Sequence, residues 1–495
     1  VACGVYGVLD REGKPILQHL YWGLKSLNHR GHQSHGFATY EGGLHTRRGL
    51  GIIPRIDLKG MEEWAAELPG HVGIGNVRYS TSGGLDKSSL LQDTQPVVAE
   101  ASPGDWAVLS YNGNLVNALG LEEEVQAKTG IRCSCDSAAL CWKLLMELRE
   151  RKDLPEAVKA CMVEVEGAYS AVIMLPGGRL AAFKDPHGIR PLCAGVSPEG
   201  GIEAFSSESI GLEINGLNLE FEVNPGELVE AGGGSFTRSR LLDRGRRLCA
   251  FEFAYFARPD SLLGDRYVYE VRESLGRSLA EEYAETLNRC DLIVSMPETA
   301  DDAALGMHEA SGLRWERAIR RHRYVTERAF IMLPQERRTI LNKKVSILAR
   351  RLSGKRVALI DDSIVRGDTM KEVIRRLKGS GAREVHVFVT FPRIVAPCFY
   401  GIDMATYREL IGASHTPEEV AEIIQADSVN YQPVDSYLRA TGLPSEELCT
   451  ACVTGRYPTP IAQSMADNAR ELLEEGAEEH RRIYEEEMLR GSGRG

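Results

Sequence analysis

The stretch VALIDDSIVRGDTM, Val357 to Met370, constrains the fold more than any other. Val357 to Ile360 read as a short buried strand. Asp361 and Asp362 follow at its carboxyl end, then a loop with Arg366, Gly367 and Thr369, then a helix whose apolar face is Val373, Ile374 and Leu377. A run this apolar belongs to a parallel sheet covered by helices, and ligands of such sheets bind beyond the carboxyl ends of the strands. A glycine-containing loop that opens a helix offers backbone N–H groups and the positive end of the helix dipole, which suits a phosphate. Two adjacent carboxylates suit ribose hydroxyls, directly or through Mg2+. An acid pair alone reads as a solvated turn; strand, acids, loop and helix in succession argue against that.

The rest of the chain divides by rhythm. From about residue 249, DLIVSMP, KRVALIDD and EVHVFVTFP are short apolar runs alternating with helical patterns, as in an α/β domain. Before that, CGVYGVLD, HVGIGNVRYSTSGG, WAVLSYNGNLVN and AYSAVIMLPGGRLAAFKD mix strand-like alternation with glycine-rich turns. The helical pattern at 136–150 aligns Leu140, Leu144, Leu145 and Leu148 on one face. NPGELVEAGGGS, 224–235, reads as turn residues closing the first half, and the charged tail from 464 reads as a solvated helix. The boundaries expected are 1–240, 241–463 and a tail, 464–495.

Charge and cysteine content exclude several classes. The 59 basic and 70 acidic residues leave a net charge of −11, against a general nucleic-acid binder, whose affinity comes from cations on phosphates. No apolar run approaches the roughly 18–20 residues that span a bilayer. The opening VACGVYGVLD lacks a basic segment and is cut by Asp10 and Arg11, so it does not read as a secretory signal. A cytoplasmic protein without membrane or nucleic-acid partners is expected. Its eleven cysteines are then thiols, metal ligands or nucleophiles. Cys449 and Cys452 stand in C-x-x-C spacing, which suits a redox dithiol, half a zinc site or chance.

The acid-pair stretch resembles the phosphoribosyl-pyrophosphate (PRPP) signature of type I phosphoribosyltransferases, and DDSIVRG in particular that of the amidophosphoribosyltransferase family. FEFAYFARPDS, VYEVRESLG, MPETADDAAL, RYV, AFIM and YGIDM are similar to that family in the same order. The resemblance implies that Asp361, Asp362, Ser363, Val365, Arg366, Gly367, Asp368 and Thr369 bind PRPP, and that Thr299, Asp361 and Asp362 hold Mg2+. It also implies that Cys249, Cys398, Cys449 and Cys452 match the ligands of the iron–sulfur subclass; ligation of a [4Fe–4S] cluster by four thiolates is chemically sound. Structural zinc and four reduced thiols are the rivals.

The first half resembles the N-terminal-nucleophile glutaminase domain of amidotransferases, through CGVYGV, RGHQSHG, GIGNVRYST, YNGNLVN, CDSAAL, EGAYS, DPHGIRPL and SSES. The fold implied is an α+β sandwich in αββα layers, followed by an α/β phosphoribosyltransferase domain with a parallel sheet. Cys3 would attack the glutamine side-chain amide, with its own α-amine, of pKa roughly 8, as base. That chemistry requires Val1-Ala2 to be removed. Arg78 would fork the glutamine α-carboxylate, Asp136 would hold the α-ammonium, and Asn112 with the Gly113 N–H would form the oxyanion hole. Read singly, Asn112-Gly113 suits a hairpin turn and Asp136 a helix cap.

Departures from the family pattern are local. RGQESAG is RGHQSHG, HTRYST is NVRYST and HNGN is YNGN, which puts His32, His35, Asn76 and Tyr111 at the expected glutamine pocket. His32 and His35 read equally well as core histidines. Asp368 stands where the family has Thr, and the RYVGRTFI loop reads RYVTERAFI. The reaction implied is glutamine-dependent amination of PRPP at C1 to 5-phosphoribosylamine, with purine-nucleotide inhibition and a tetramer. An ammonia-dependent transferase with an inert glutaminase, and a nucleotide-sensing regulator on a dead scaffold, are the alternatives.

Overall fold

The computed structural model describes residues 3–79, 87–322, 345–404 and 406–474. The expectations about Val1-Ala2, the 323–331 loop and the tail beyond residue 474 lie outside the described residues.

Two antiparallel sheets build the first half. One has seven strands, β1 (Gly4–Asp10), β2 (Ser34–Tyr40), β3 (Leu44–Leu50), β4 (Val72–Arg78), β9 (Cys193–Val196), β10 (Ile202–Ser206) and β11 (Asn218–Glu222), in the order β11-β9-β10-β1-β4-β2-β3. The other has six, β5 (Val97–Ser102), β6 (Asp105–Leu115), β7 (Gly167–Leu175), β8 (Arg179–Lys184), β12 (Glu227–Glu230) and β13 (Thr237–Arg240), in the order β13-β12-β8-β7-β6-β5. Strand alternation makes the layers. Val5 and Leu9 of β1 meet Val108 and Val172 between the sheets. Tyr6 and Val8 face the other way, onto Leu17, Leu20 and Leu24 of the helix Leu17–Ser26. Across the sandwich, Leu109 and Tyr111 of β6 meet Leu140 and Leu144 of the helix Asp136–Arg151. The result is the expected αββα sandwich.

Three sequence expectations change here. NPGELVEAGGGS is more than a turn: β12 runs through it and pairs with β8. Asn112-Gly113 lies inside β6 and forms no hairpin. Asp136 is not a cap: Cys135 precedes the helix in extended conformation, and the Asp136 carboxylate points into the protein.

The second half starts with β14 (Leu248–Cys249), a turn of π-helix at Glu252–Phe256 and a small hairpin, β15 (Leu262–Leu263) with β16 (Arg266–Tyr267). Its sheet is fully parallel, β17-β20-β21-β22, from β17 (Leu292–Ser295), β20 (Arg356–Asp361), β21 (Glu384–Val389) and β22 (Ser428–Tyr431). A second hairpin pairs β18 (Ile319–Arg321) with β19 (Val345–Ile347). Helices cover both faces of the parallel sheet. Val357 and Leu359 pack on Val373, Ile374 and Leu377, while Ala358 and Ile360 pack on Leu279, Ala303 and Met307. Finally β23 (Leu448–Cys449) lies parallel to β14.

The tail expectation also needs correction. The helix starts at Pro460, and it is not simply solvated: Ala462, Met465, Ala466 and Ala469 are buried in the core that holds the cysteines. Four small or flexible apolar residues are a weak signal amid so many charges.

Candidate active site

Cys3 directly precedes β1, an interior strand of the seven-stranded sheet. It is 7% exposed, and its thiol donates to the Tyr79 carbonyl at 3.6 Å. Because Gly4 pairs with Val77, Cys3 comes beside the Arg78 end of β4. Burial pushes the thiol pKa up; the Tyr79 contact and the charges of Arg78 and Arg30 oppose this, and the charge of Asp136 adds to it. The structure therefore gathers Cys3, Arg78 and Asp136 in one electrostatic neighbourhood. Arg78 and Asp136 are each 3% exposed, and Arg78 stands 3.7 Å from Asp93.

Asn112 is fully buried on β6, and neither its amide oxygen nor its amide nitrogen finds a hydrogen-bond partner among the described residues. A buried amide left open is costly and is explained when a substrate atom completes it. Gly113 cannot be replaced, since a Cβ there would fall 1.8 Å from the Ala168 carbonyl oxygen across the strand pair. Asp136 Oδ2 accepts from the Tyr111 hydroxyl at 2.8 Å and from the Leu115 N–H at 3.3 Å. Tyr111 N–H and Asn76 Nδ2 both donate to Gln95 Oε1, at 2.7 and 3.3 Å. Gln95 is a residue that sequence reasoning missed. His35 bonds the Gly51 carbonyl through Nδ1 at 3.0 Å and is depressed in pKa by burial, as for a core histidine.

A chain of contacts leads from Cys3 into the second half. Arg30, fully buried, donates Nε to the Cys3 carbonyl at 3.0 Å and its two terminal nitrogens to Glu252 at 3.0 and 2.7 Å. Arg190 bonds the same Glu252 at 3.2 Å and donates to the Tyr400 carbonyl at 2.9 Å. Tyr79 donates to Asp403 at 2.9 Å, and Asn114 to the Phe399 carbonyl at 3.1 Å. Arg30 and Glu252 sit within motifs quoted for the resemblance, but nothing local marks them as partners 222 residues apart.

In the second half, β17 and β20 are parallel neighbours with Ser295 opposite Ile360. Their carboxyl ends therefore lie side by side, which brings the Pro297–Ala300 turn to the acid pair. The Ser363 hydroxyl donates to the Asp362 carboxylate at 2.6 Å, and the Thr299 hydroxyl helps to lower the pKa of the same carboxylate. Burial pushes Asp362 up to about 6, eased by Ser363, the charge of Arg272 and Thr299. Asp361 is also raised, by burial and by the charge of Asp362. Carboxylates forced together this way gain from a cation between or beside them. Val365 is pinned by its carbonyl, which accepts from the Ile411 N–H at 2.9 Å, and Arg366 pairs with Glu409. Gly367 takes φ +84° ahead of the 12-residue helix Asp368–Gly379, and Asp368 and Thr369 are exposed. Asp368 thus turns its charge to solvent.

The four predicted cysteine ligands share one core. Cys249 and Cys449 are register partners on β14 and β23, Cys452 lies in the turn of helix Ala451–Thr454, and Cys398 Sγ accepts from the Tyr400 N–H at 3.4 Å. All four are free thiols, and Cys249, Cys449 and Cys452 are raised by burial and by neighbouring thiols of the set. As they stand, no three His, Cys, Asp or Glu side chains among the described residues close on a single ion. Four soft thiols in one core and without disulfides are the donor type that suits iron–sulfur or zinc. The other seven cysteines, Cys3 among them, are free of disulfides as well.

Residues 85–213 match the model of the glutamine amidotransferase domain. The amidophosphoribosyltransferase of Methanocaldococcus jannaschii is 37% identical over 480 residues, covering 93% of this chain and 98% of that protein. That of Bacillus subtilis is 34% identical over 469 residues, covering 93% and 95%. The solved glutamine PRPP amidotransferase from B. subtilis, complexed with ADP and GMP, superposes with TM-score 0.81 at 32% identity over 93% of this chain and 98% of that one. A structure described as the allosteric regulatory enzyme of purine biosynthesis gives 0.82 at 32% identity, covering 93% and 97%. With the same two-part fold and such coverage, the chain belongs to the amidophosphoribosyltransferase family.

Proposed function

We infer that this enzyme hydrolyses glutamine at Cys3 and delivers the ammonia to C1 of PRPP, where it displaces pyrophosphate to give 5-phosphoribosylamine. The observation that carries the reading is Cys3, its buried thiol under the charges of Arg78 and Asp136 and its backbone carbonyl tied through Arg30 to Glu252 of the second half. With Val1-Ala2 removed, the Cys3 α-amine takes the thiol proton as sulfur adds to the amide carbon. Asn112 and the Gly113 N–H receive the negative oxygen, which supplies the missing partner for a buried amide. The amine returns the proton to the leaving nitrogen, and water releases glutamate from the thioester. Arg78 and Asp136 hold the two charged ends of the amino acid.

In the second half the Gly367 loop and the helix behind it hold the 5′-phosphate, with Ser363, Val365, Arg366, Asp368 and Thr369 along the same turn. Asp361 and Asp362 face the ribose hydroxyls. Asp361, Asp362 and Thr299 would hold Mg2+, which supplies positive charge to the leaving pyrophosphate. Cys249, Cys398, Cys449 and Cys452 would hold a [4Fe–4S] cluster whose part is structural, fastening β23 and the last helix to the domain. The same reading places the enzyme in the cytoplasm as a homotetramer inhibited by purine nucleotides; the ADP and GMP bound in the Bacillus relative support the last point. The domain boundary at residue 240, the last residue of β13, goes with it.

A turnover assay with PRPP and either nitrogen source tests the main reading. It expects glutamine-dependent pyrophosphate release. Release with ammonia alone would instead indicate an inert glutaminase, and PRPP binding without turnover a regulator. Anaerobically purified protein should carry about four iron and four sulfide per chain, and Cys449→Ser should lose both; zinc in place of iron would refute the cluster.

A further inference from the structure

Two positions at which this chain departs from the family pattern touch each other. Asn76 Nδ2 donates to the Tyr111 carbonyl at 3.1 Å, and both residues donate to Gln95 Oε1. The Tyr111 ring is 2% exposed and packed in the layer of Leu140 and Leu144. Its backbone is thus fixed from below, its ring has little freedom, and its hydroxyl ends 2.8 Å from Asp136 Oδ2. Asp136 itself opens its helix without a side-chain cap and depends on Tyr111, Leu115 and Ser137 for its orientation.

We propose that Tyr111 is a positioning residue for substrate selection: through the Asp136 carboxylate it makes recognition of the α-amino group of glutamine a condition of turnover. The proposal rests on the reading of Asp136 as the ammonium partner. A phenol donating to a carboxylate fixes its plane, and with it the direction from which an ammonium is met. A histidine ring at this position is shorter, so its N–H falls short of the point where the phenol oxygen stands. The Asn76–Gln95 clamp and the tyrosine act as one device, which accounts for two departures together.

The test compares kcat/KM for L-glutamine with kcat/KM for 4-carbamoylbutanoate, which is glutamine without the α-amino group. Both substrates use the same thiol, so their ratio is independent of the fraction of active protein and of any loss of folding. Tyr111→Phe is expected to lower the preference for L-glutamine by about tenfold or more, the scale of a hydrogen bond to a charged group. Asp136→Asn is measured alongside. If Asp136→Asn lowers the preference and Tyr111→Phe leaves it unchanged, the proposal is overturned and the reading of Asp136 stands. If Asp136→Asn leaves it unchanged, that reading fails and the proposal falls with it.

Discussion

Asn112 has its amide sealed in β6 with no bond made among the described residues, a cost that the proposed oxyanion role would justify. Substitution by an apolar residue of similar size removes the unsatisfied groups. Asn112→Leu is therefore expected to lower glutamine turnover by about 10²–10³-fold while leaving the melting temperature unchanged or raised. A loss of stability matching the loss of activity would make Asn112 structural. The NGN run stood out as a candidate in the sequence because YNGNLVN resembles the amidotransferase motif and accompanies Cys3. Asp136 was legible only ambiguously, since an acid ahead of a helical run normally caps it, and only the long-range Tyr111 contact turns it inward. Gln95 was not legible at all, because its role is to tie two strands of different sheets.

The strand, loop and helix from Arg356 to Gly379 form the element to which PRPP binding is assigned in the proposed function. Gly367 is its hinge: φ +84° strains any other residue, and a Cβ would come within 3.1 Å of Ile424 and 3.2 Å of Ile411. Gly367→Ala should cost about 1 kcal/mol or more, read by urea unfolding, and raise the KM for PRPP without altering that for glutamine. Asp368→Thr removes an exposed negative charge beside the phosphate and should lower the KM for PRPP, with a larger effect at low salt. The element was legible because its signals lie within one short, continuous stretch. The fourth parallel strand, β22, was not: SVNY is short, and Asn430 interrupts the apolar run that marks the other three.

For the whole molecule the decisive feature is the buried ion network that joins the halves. Burial alone would push Glu208 up, but the charges of His29 and Arg30 and the hydrogen bonds of His29 and Ser261 outweigh it and hold the carboxylate below its ordinary 4.5. A depressed carboxylate stabilises the fold above the unfolded value, and that stability is lost as the pH falls through the lower folded value. Glu208→Gln should therefore cost about 3–5 kcal/mol at pH 7, and the stabilities of the two proteins should converge as the pH drops below 4.5. Urea titrations at a series of pH values check this. Such a network is invisible to sequence patterns, because Arg30, Glu208 and Glu252 belong to three separate motifs and meet only when both halves are folded.

The claim that nitrogen freed at Cys3 is consumed at the anomeric carbon is tested most directly by isotope transfer. Protein whose terminus has been shown to be Cys3 is given amide-15N glutamine, PRPP and Mg2+ in the presence of unlabelled ammonium. Glutamate and pyrophosphate in equal amounts and 5-phosphoribosylamine carrying 15N are expected. Product carrying only unlabelled nitrogen, or glutamate released while PRPP stays intact, would contradict the claim.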